Sequence, residues 1–260
     1  MHVSPLTLTL LIVAAFAAGT VDAIAGGGGL ITVPALGIAG LPPHVLLGTN
    51  KGQSVFGAAS SLASYVHAKQ VDHARALVAF PCGFVGSLLG ARLVLYVPSA
   101  ILRPLVLAML VAVALFFLWR SSTPKQPEPL TSTTIERPWM RVAPIAFLIG
   151  AYDGFFGPGT GTFLIVAFVV LLHSPLSRAT ADAKVVNFAS NLAAVCLFAI
   201  QGTILWSIAL PMAAAQLVGG VVGARLAVRG GETVIRRVVF CVVIALALKM
   251  AYDLTIRGLS

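Results

Sequence analysis

This chain of 260 residues is poor in charge: only 10% of it is Asp, Glu, Lys or Arg, and only eight residues are acidic. A soluble domain carries about 25% charged residues. Hydrophobic residues make up 58% and the mean hydropathy is +0.99. Such a chain cannot cover itself with polar surface, so the composition excludes a soluble protein and implies a polytopic membrane protein. Cysteine is scarce too. Cys82, Cys196 and Cys241 stand apart in apolar stretches with no CxxC, and His2, His44, His67, His73 and His173 lack metal-ligand spacing. That excludes a disulfide framework and a zinc centre and leaves the cysteines as small packing residues. No phosphate-cradling Gly-Lys-Ser/Thr loop, nucleophile elbow or pair of carboxylates on one helix occurs. An enzyme is therefore not expected, and no cofactor is implied. The net charge of +9 raises the question of nucleic acid. However, no basic run with interleaved aromatics exists, and the cations sit at segment ends and loops, where they set topology and meet lipid headgroups.

What the chain does have is an internal repeat. Gly19-Thr20-Val21-Asp22 with the run Gly26–Gly29 returns as Gly150-Ala151-Tyr152-Asp153 with Gly157-Pro158-Gly159-Thr160-Gly161. Lys51 returns as Lys184, Gly86, Gly90, Ala91 and Arg92 as Gly219, Gly223, Ala224 and Arg225, and Arg103 as Arg236. The offset is 131 residues at the Asp and 133 at the others. Apolar residues drift while charges stay, the mark of a site built from two related halves, as in many transporters. The expected organisation is a first transmembrane repeat over 1–119, a polar Pro- and Ser/Thr-rich linker over 120–138, and a second repeat over 139–260. The opening stretch 6–25 resembles a signal peptide but lacks a basic start and carries the repeated Asp22, so it is read as mature protein.

Each half breaks into five apolar segments: 6–25, 30–41, 45–66, 74–97 and 100–119, then 140–156, 161–173, 178–200, 204–227 and 235–254. The second of each set is too short for the roughly 20 residues of an ordinary span, and a glycine cluster precedes it. Short, glycine-broken segments in matching places of two halves point to a transport site. Topology follows from unequal charge in equivalent loops. The first half has Lys69 and Arg75 where the second has Gln201 and Gly202, and Arg225, Arg229, Arg236 and Arg237 cluster where the first has Arg92 and Arg103. Arg120, Lys125, Arg137 and Arg141 flank or occupy the linker. Placing these cations together in the cytoplasm needs an odd number of crossings per half, which predicts an all-α fold of inverted repeats with both termini outside. The alternative is eight spans, four plus four, with parallel halves.

Asp22 and Asp153 precede the glycine clusters. An acid at membrane depth is costly, so these are either coupling carboxylates that take a proton or caps and lysine partners that fix the break. Phe155, Phe156 and Pro158 make the surroundings of Asp153 stiffer and drier, which marks it as the better proton carrier. Lys51 with Ser54 and Ser61, flanked by Asn50 and Gln53, and Lys184 with Asn187 and Asn191, form two polar stripes on helices. Converging, they would bind an anion, helped by backbone N–H groups of Gly27, Gly28, Gly159 and Gly161 at helix starts. The competing reading is that both lysines snorkel to the headgroups. The Gly86/Gly90 and Gly219/Gly223 pairs read as close helix packing. Arg92 and Arg225 then mark segment ends, with a substrate gate as the alternative.

These motifs together resemble the sulfite exporter family of the TauE/SafE type, within the toluene-sulfonate uptake permease superfamily. The resemblance covers nearly the whole chain. It rests on Asp22 with Gly26–Gly29 and Pro34, on Gly48-Thr49-Asn50-Lys51 with Gln53, and on Gly90-Ala91-Arg92. In the second half it rests on Asp153-Gly154 with Gly157–Gly161, on Lys184, Asn187 and Asn191, and on Gly223-Ala224-Arg225. It implies a multi-pass carrier of the bacterial inner (cytoplasmic) membrane that moves sulfite or small organosulfonates, and the eight-span count is the one usual for the family. The expected partners are a small anion, protons and membrane lipids. With no nucleotide site, energy comes from a gradient. A non-transporting scaffold and a membrane-embedded enzyme are the other classes considered.

Overall fold

The computed structural model describes residues 4–121 and 139–230. Most of the 120–138 linker, the apolar segment at 235–254, Cys241, Arg236, Arg237 and both termini lie outside the described residues. Among those described, the chain forms nine helices and no strand. The first half holds α1 (Pro5–Ala25), α2 (Gly29–Ile38), α3 (Pro43–His67), α4 (His73–Leu95) and α5 (Ser99–Ser121). The second holds α6 (Trp139–Phe155), α7 (Thr160–Leu172), α8 (Leu176–Ile200) and α9 (Trp206–Gly230). Their bounds fall within three residues of the segments expected from hydropathy.

Four helices, α1, α4, α8 and α9, are long and apolar enough to cross a membrane. α3 is as long, at 25 residues, but buries Thr49, Asn50, Lys51 and Gln53, which lowers its hydropathy. α2 and α7 have 10 and 13 residues. At 1.5 Å per residue they reach about 15 and 20 Å, well short of a hydrocarbon core of about 30 Å.

Glycine makes the breaks. Gly26 ends α1 in the left-handed region at φ +81°, and its N–H donates to the Asp22 carbonyl at 2.8 Å. Gly157 and Gly159, at φ +98° and +85°, turn the chain between α6 and α7. The two breaks touch: a side chain on Gly26 would run into the backbone of Gly161. Chain reversal and close approach both demand glycine here.

The repeated glycine pairs pack each half against the other. Gly86 and Gly90 on α4 lie against the carbonyls of Phe147 and Ala151 on α6, while Gly219 and Gly223 on α9 lie against those of Phe16 and Thr20 on α1. Small residues let the backbones meet, which is how helices associate where lipid removes the hydrophobic drive. Gly90→Ala places a methyl inside the Ala151 carbonyl, which cannot yield. We expect a loss of about 1–3 kcal/mol, the usual cost of overpacking. Thermal unfolding in detergent checks this, with Gly37→Ala as the control, because its nearest neighbour is the Leu46 methyl at 3.6 Å.

Helix ends gather at two ends of the bundle. At one, the Asp72 N–H before α4 donates to Asp182 Oδ1 on α8 at 2.8 Å, and Arg75 reaches Ser174 Oγ at 2.7 Å. The ends of α3 and α9 adjoin at the same end, where His67 and Arg229 line one groove. At the other end, the Leu205 N–H before α9 donates to Thr49 Oγ1 at 3.0 Å, and His44 on α3 sits 3.2 Å from the Val94 carbonyl near the end of α4. One apolar cluster (Leu36, Leu46, Val94, Ile208) lies toward this second end and takes in Leu11 and Ala15 of α1. The other (Tyr65, Val142, Phe168, Leu172) lies toward the first.

Candidate functional site

The site grows from two lysines. Lys51 lies eight residues after Pro43 in α3, and Lys184 eight after Leu176 in α8. That is about 12 Å along each helix, close to mid-depth in a core of about 30 Å. Neither lysine snorkels: their side chains are 3% and 0% exposed. A buried ammonium needs a counter-charge, and each finds it in the other half of the chain. Lys51 Nζ is 2.8 Å from Asp153 Oδ1. Lys184 Nζ is 3.6 Å from Asp22 Oδ2 and also donates to the Asp22 backbone carbonyl. Each lysine therefore also meets the C-terminal turn of a broken helix, Lys184 at α1 and Lys51 at α6, where the carbonyl ends favour a cation.

The two acids differ in their setting. Asp153 is 3% exposed, and its second oxygen accepts from the Ser190 hydroxyl and, at 3.5 Å, from Asn191 Nδ2. Asp22 is 15% exposed, and its Oδ1 accepts the Gly28 N–H at 3.3 Å. Asp22 thus pins the glycine break with one oxygen and meets Lys184 of α8 with the other, while Asp153 is held by donors from both α3 and α8.

Between the pairs lies a polar cavity of about 20 Å³, room for about one water. Asp22, Asp153, Lys51, Asn50 and Ser54 face it, as do Asn187, Asn191 and Gly161. The remaining residues proposed from sequence lie off its wall. Lys184 is wholly buried against Asp22. Gln53 turns along α3, donating to Asn50 Oδ1 and Ser54 Oγ, both at 3.2 Å. Gly27, Gly28 and Gly159 give way to Gly26, Gly29 and Gly157 as the glycines that face the opening. Ser61 does not share the Lys51 site: ten residues on a helix place it about 15 Å further along and rotated away.

Two residues escaped the sequence reading. Ser190 carries no repeat signal, because its counterpart in the first half, Gly57, has no hydroxyl. Gln216 on α9 also lines the cavity, 2% exposed, and its Oε1 has no hydrogen-bond partner among the described residues. Its counterpart is Gly83, so no repeat signal marked it; the room beside Gly19 and Gly57, which its side chain fills, is visible only in three dimensions. Arg92 and Arg225 are both exposed on the end turns of α4 and α9, and Arg92 reaches Tyr96 Oη at 3.5 Å.

Apolar helices around a buried, charge-balanced polar centre define a multi-pass membrane transporter, and the comparisons agree. Residues 11–250 match the family model described as "Sulfite exporter TauE/SafE", and the chain belongs to that family. It is 40% identical over 248 residues to the "Probable membrane transporter protein ORF9" of a Sinorhizobium species, covering 95% of this chain and 94% of that one. It is 39% identical over 246 residues to a "Probable membrane transporter protein" of Haemophilus influenzae, covering 95% of each. With the "Probable membrane transporter protein YfcA" of Escherichia coli K12 it shares 36% over 255 residues, 96% of this chain and 92% of the relative. No solved structure matches the chain.

Proposed function

We propose that this protein is a secondary transporter that exports a small sulfur oxyanion, sulfite or an organosulfonate, across the bacterial inner membrane. The observation that carries the reading is the crosswise pair of buried Lys–Asp contacts around one polar cavity. Two lysines and two aspartates leave the centre neutral. An added anion makes it negative in a low dielectric, and a proton on one carboxylate restores balance. Lys51 and Asp153 both face the cavity, so protonation of Asp153 releases Lys51 to the anion. Coupling to protons follows without any nucleotide. The cavity is smaller than a sulfur oxyanion, so loading requires the helices around the breaks to shift. A scaffold has no use for this centre, and the family and the names of the relatives speak for transport rather than an enzyme.

The helix-end contacts support inverted halves. Asp72 and Asp182 bring the starts of α4 and α8 to the same end of the bundle. Had α6 and α7 crossed the membrane only once together, α8 would start at the opposite end from α4. A pair of broken helices that enters and returns has the same parity as two crossings. With the Lys69/Arg75 end in the cytoplasm, Met1, Ser260 and the Gln201 loop face the periplasm. Labelling of single cysteines with impermeant reagents tests this, and termini found inside remove the inverted arrangement.

The function itself is tested in proteoliposomes by screening sulfite, thiosulfate, sulfate and small sulfonates for flux with and without a pH gradient. We expect flux of one or more of the sulfur anions and its enhancement by the gradient. Failure of every anion overturns the reading.

A further inference from the structure

Comparison of the two halves along α3 and α8 exposes an asymmetry that reaches the surface. From the cavity, which Ser54 lines, toward the end of α3, the residues turned to α9 are Gly57, Ser60, Ser64 and His67. The positions 133 residues on are Asn187, Ser190, Ala193, Leu197 and Ile200, so α8 turns apolar beyond mid-depth while α3 stays polar to its end. α9 differs in the same sense: Arg225 and Arg229 correspond to Arg92 on α4 and to Tyr96 just after it. Among the described residues, one end alone therefore has a polar stripe facing two arginines.

The structure opens a groove there. Its volume is about 410 Å³, with Ser60, Ser64 and His67 on one wall and Arg225 and Arg229 on the other. Both arginines are exposed, and neither forms an ion pair among the described residues. The groove stops about one and a half helical turns short of the central cavity, the distance from Ser60 to Ser54 on α3 and from Val221 to Gln216 on α9. A side chain on Gly220 would meet the Gly57 carbonyl at 2.7 Å, and the Gln216 side chain fills the space over Gly57. Ser60 Oγ donates across this seam to the Leu217 carbonyl at 2.9 Å. Gln216 itself faces the cavity beyond. A seam that includes Gly57, Gly220, Gln216 and the Ser60–Leu217 hydrogen bond thus lies between a cationic groove and the anion site.

We infer that the α3–α9 groove is the cytoplasmic mouth of the transport path, where Arg225 and Arg229 capture a small oxyanion for passage past the Gln216 seam. The inference rests on the transporter reading above and adds the side, the residues and the barrier of entry. Guanidinium groups suit an oxyanion because their fork of donors matches two of its oxygens. Exposed charge raises local anion concentration without holding it tightly, which is what a mouth requires. An anionic lipid headgroup has the same chemistry and is the rival occupant.

Labelling tests the mouth without relying on transport. Ser64→Cys is placed in a chain whose Cys82, Cys196 and Cys241 are replaced, and the protein is reconstituted in phosphatidylcholine vesicles. Sulfonatoethyl and trimethylammonioethyl methanethiosulfonate are applied from each side, with exposed His73→Cys as the reference for the same end. We expect reaction from the cytoplasmic side only, several-fold faster with the anionic reagent after correction by the reference. Sulfate, an oxyanion that does not consume the reagent, should slow it without slowing the reference, and Arg225→Gln with Arg229→Gln should remove the preference. An inert thiol in the Ser64→Cys variant, reaction from the periplasm or no charge preference overturns the inference. Loss of the anionic preference when phosphatidylglycerol is added, with the reference unchanged, assigns the groove to lipid and also overturns it. In flux assays the arginine double variant should raise KM several-fold and leave kcat near its original value. An unchanged KM contradicts capture, whereas absent flux in the parent protein contradicts the transporter reading instead.

Discussion

Lys51→Ala is expected to reduce anion flux by about 30-fold or more, since losing one charge at a buried charged contact costs about 2–5 kcal/mol. It also leaves Asp153 buried with only the Ser190 and Asn191 donors. Breaking a buried ion pair costs about 3–5 kcal/mol in stability, so lost flux alone does not separate a transport role from a folding one. The neutral double variant Lys51→Met with Asp153→Asn does. It removes both charges while keeping volume, and such replacements are often neutral or stabilising. We expect it to recover the thermal stability lost in Lys51→Ala while flux stays at background. Recovery of flux with stability would show that the pair only holds the helices together. Lys184→Ala should also lose flux, by a different route, because Lys184 holds the end of α1 rather than facing the cavity. Lys51→Arg should rescue only in part: Lys51 Nζ lies close against Gly157, and a planar guanidinium needs more room than an ammonium.

The second large effect is expected at the acids. Asn keeps the size and acceptor of Asp but cannot take up a proton. If protonation of Asp153 frees Lys51 for the anion, Asp153→Asn should abolish accumulation driven by a pH gradient while exchange between two loaded sides persists. Asp22 accepts the Gly28 N–H next to a helix break, a local role that Asn also serves, but Asn leaves the buried Lys184 without its carboxylate. Asp22→Asn should therefore keep its pH response at a reduced rate. Paired measurements of gradient-driven uptake and exchange check both variants. A full pH response in Asp153→Asn, with loss only in Asp22→Asn, reverses the assignment.

Much of the fold was legible in the sequence because membrane helices declare themselves by length and hydropathy, and their breaks by glycine. The short α2 and α7 were visible for that reason, as were the buried charges, since a lysine kept twice in apolar segments needs a cause. The crosswise pairing was not legible. The repeat relates Lys51 to Lys184 and Asp22 to Asp153, but only folding shows that each lysine meets the acid of the opposite half. Side-chain direction was the second gap: Gln53 neighbours two cavity residues in sequence yet runs along its own helix. The third was asymmetry. Ser190 and Gln216 each replace a glycine of the other half, so a search for what repeats passes over them.

The measurement that bears most directly on the crosswise site is counterflow of radiolabelled sulfite. Proteoliposomes preloaded with unlabelled sulfite are diluted into labelled sulfite with no pH or voltage gradient, so only carrier-mediated exchange concentrates the label. The expected result is transient accumulation of label with the unmodified protein and with Asp153→Asn, and none with Lys51→Met paired with Asp153→Asn. Counterflow in that double variant equal to the unmodified protein would contradict the assignment of Lys51 to the anion.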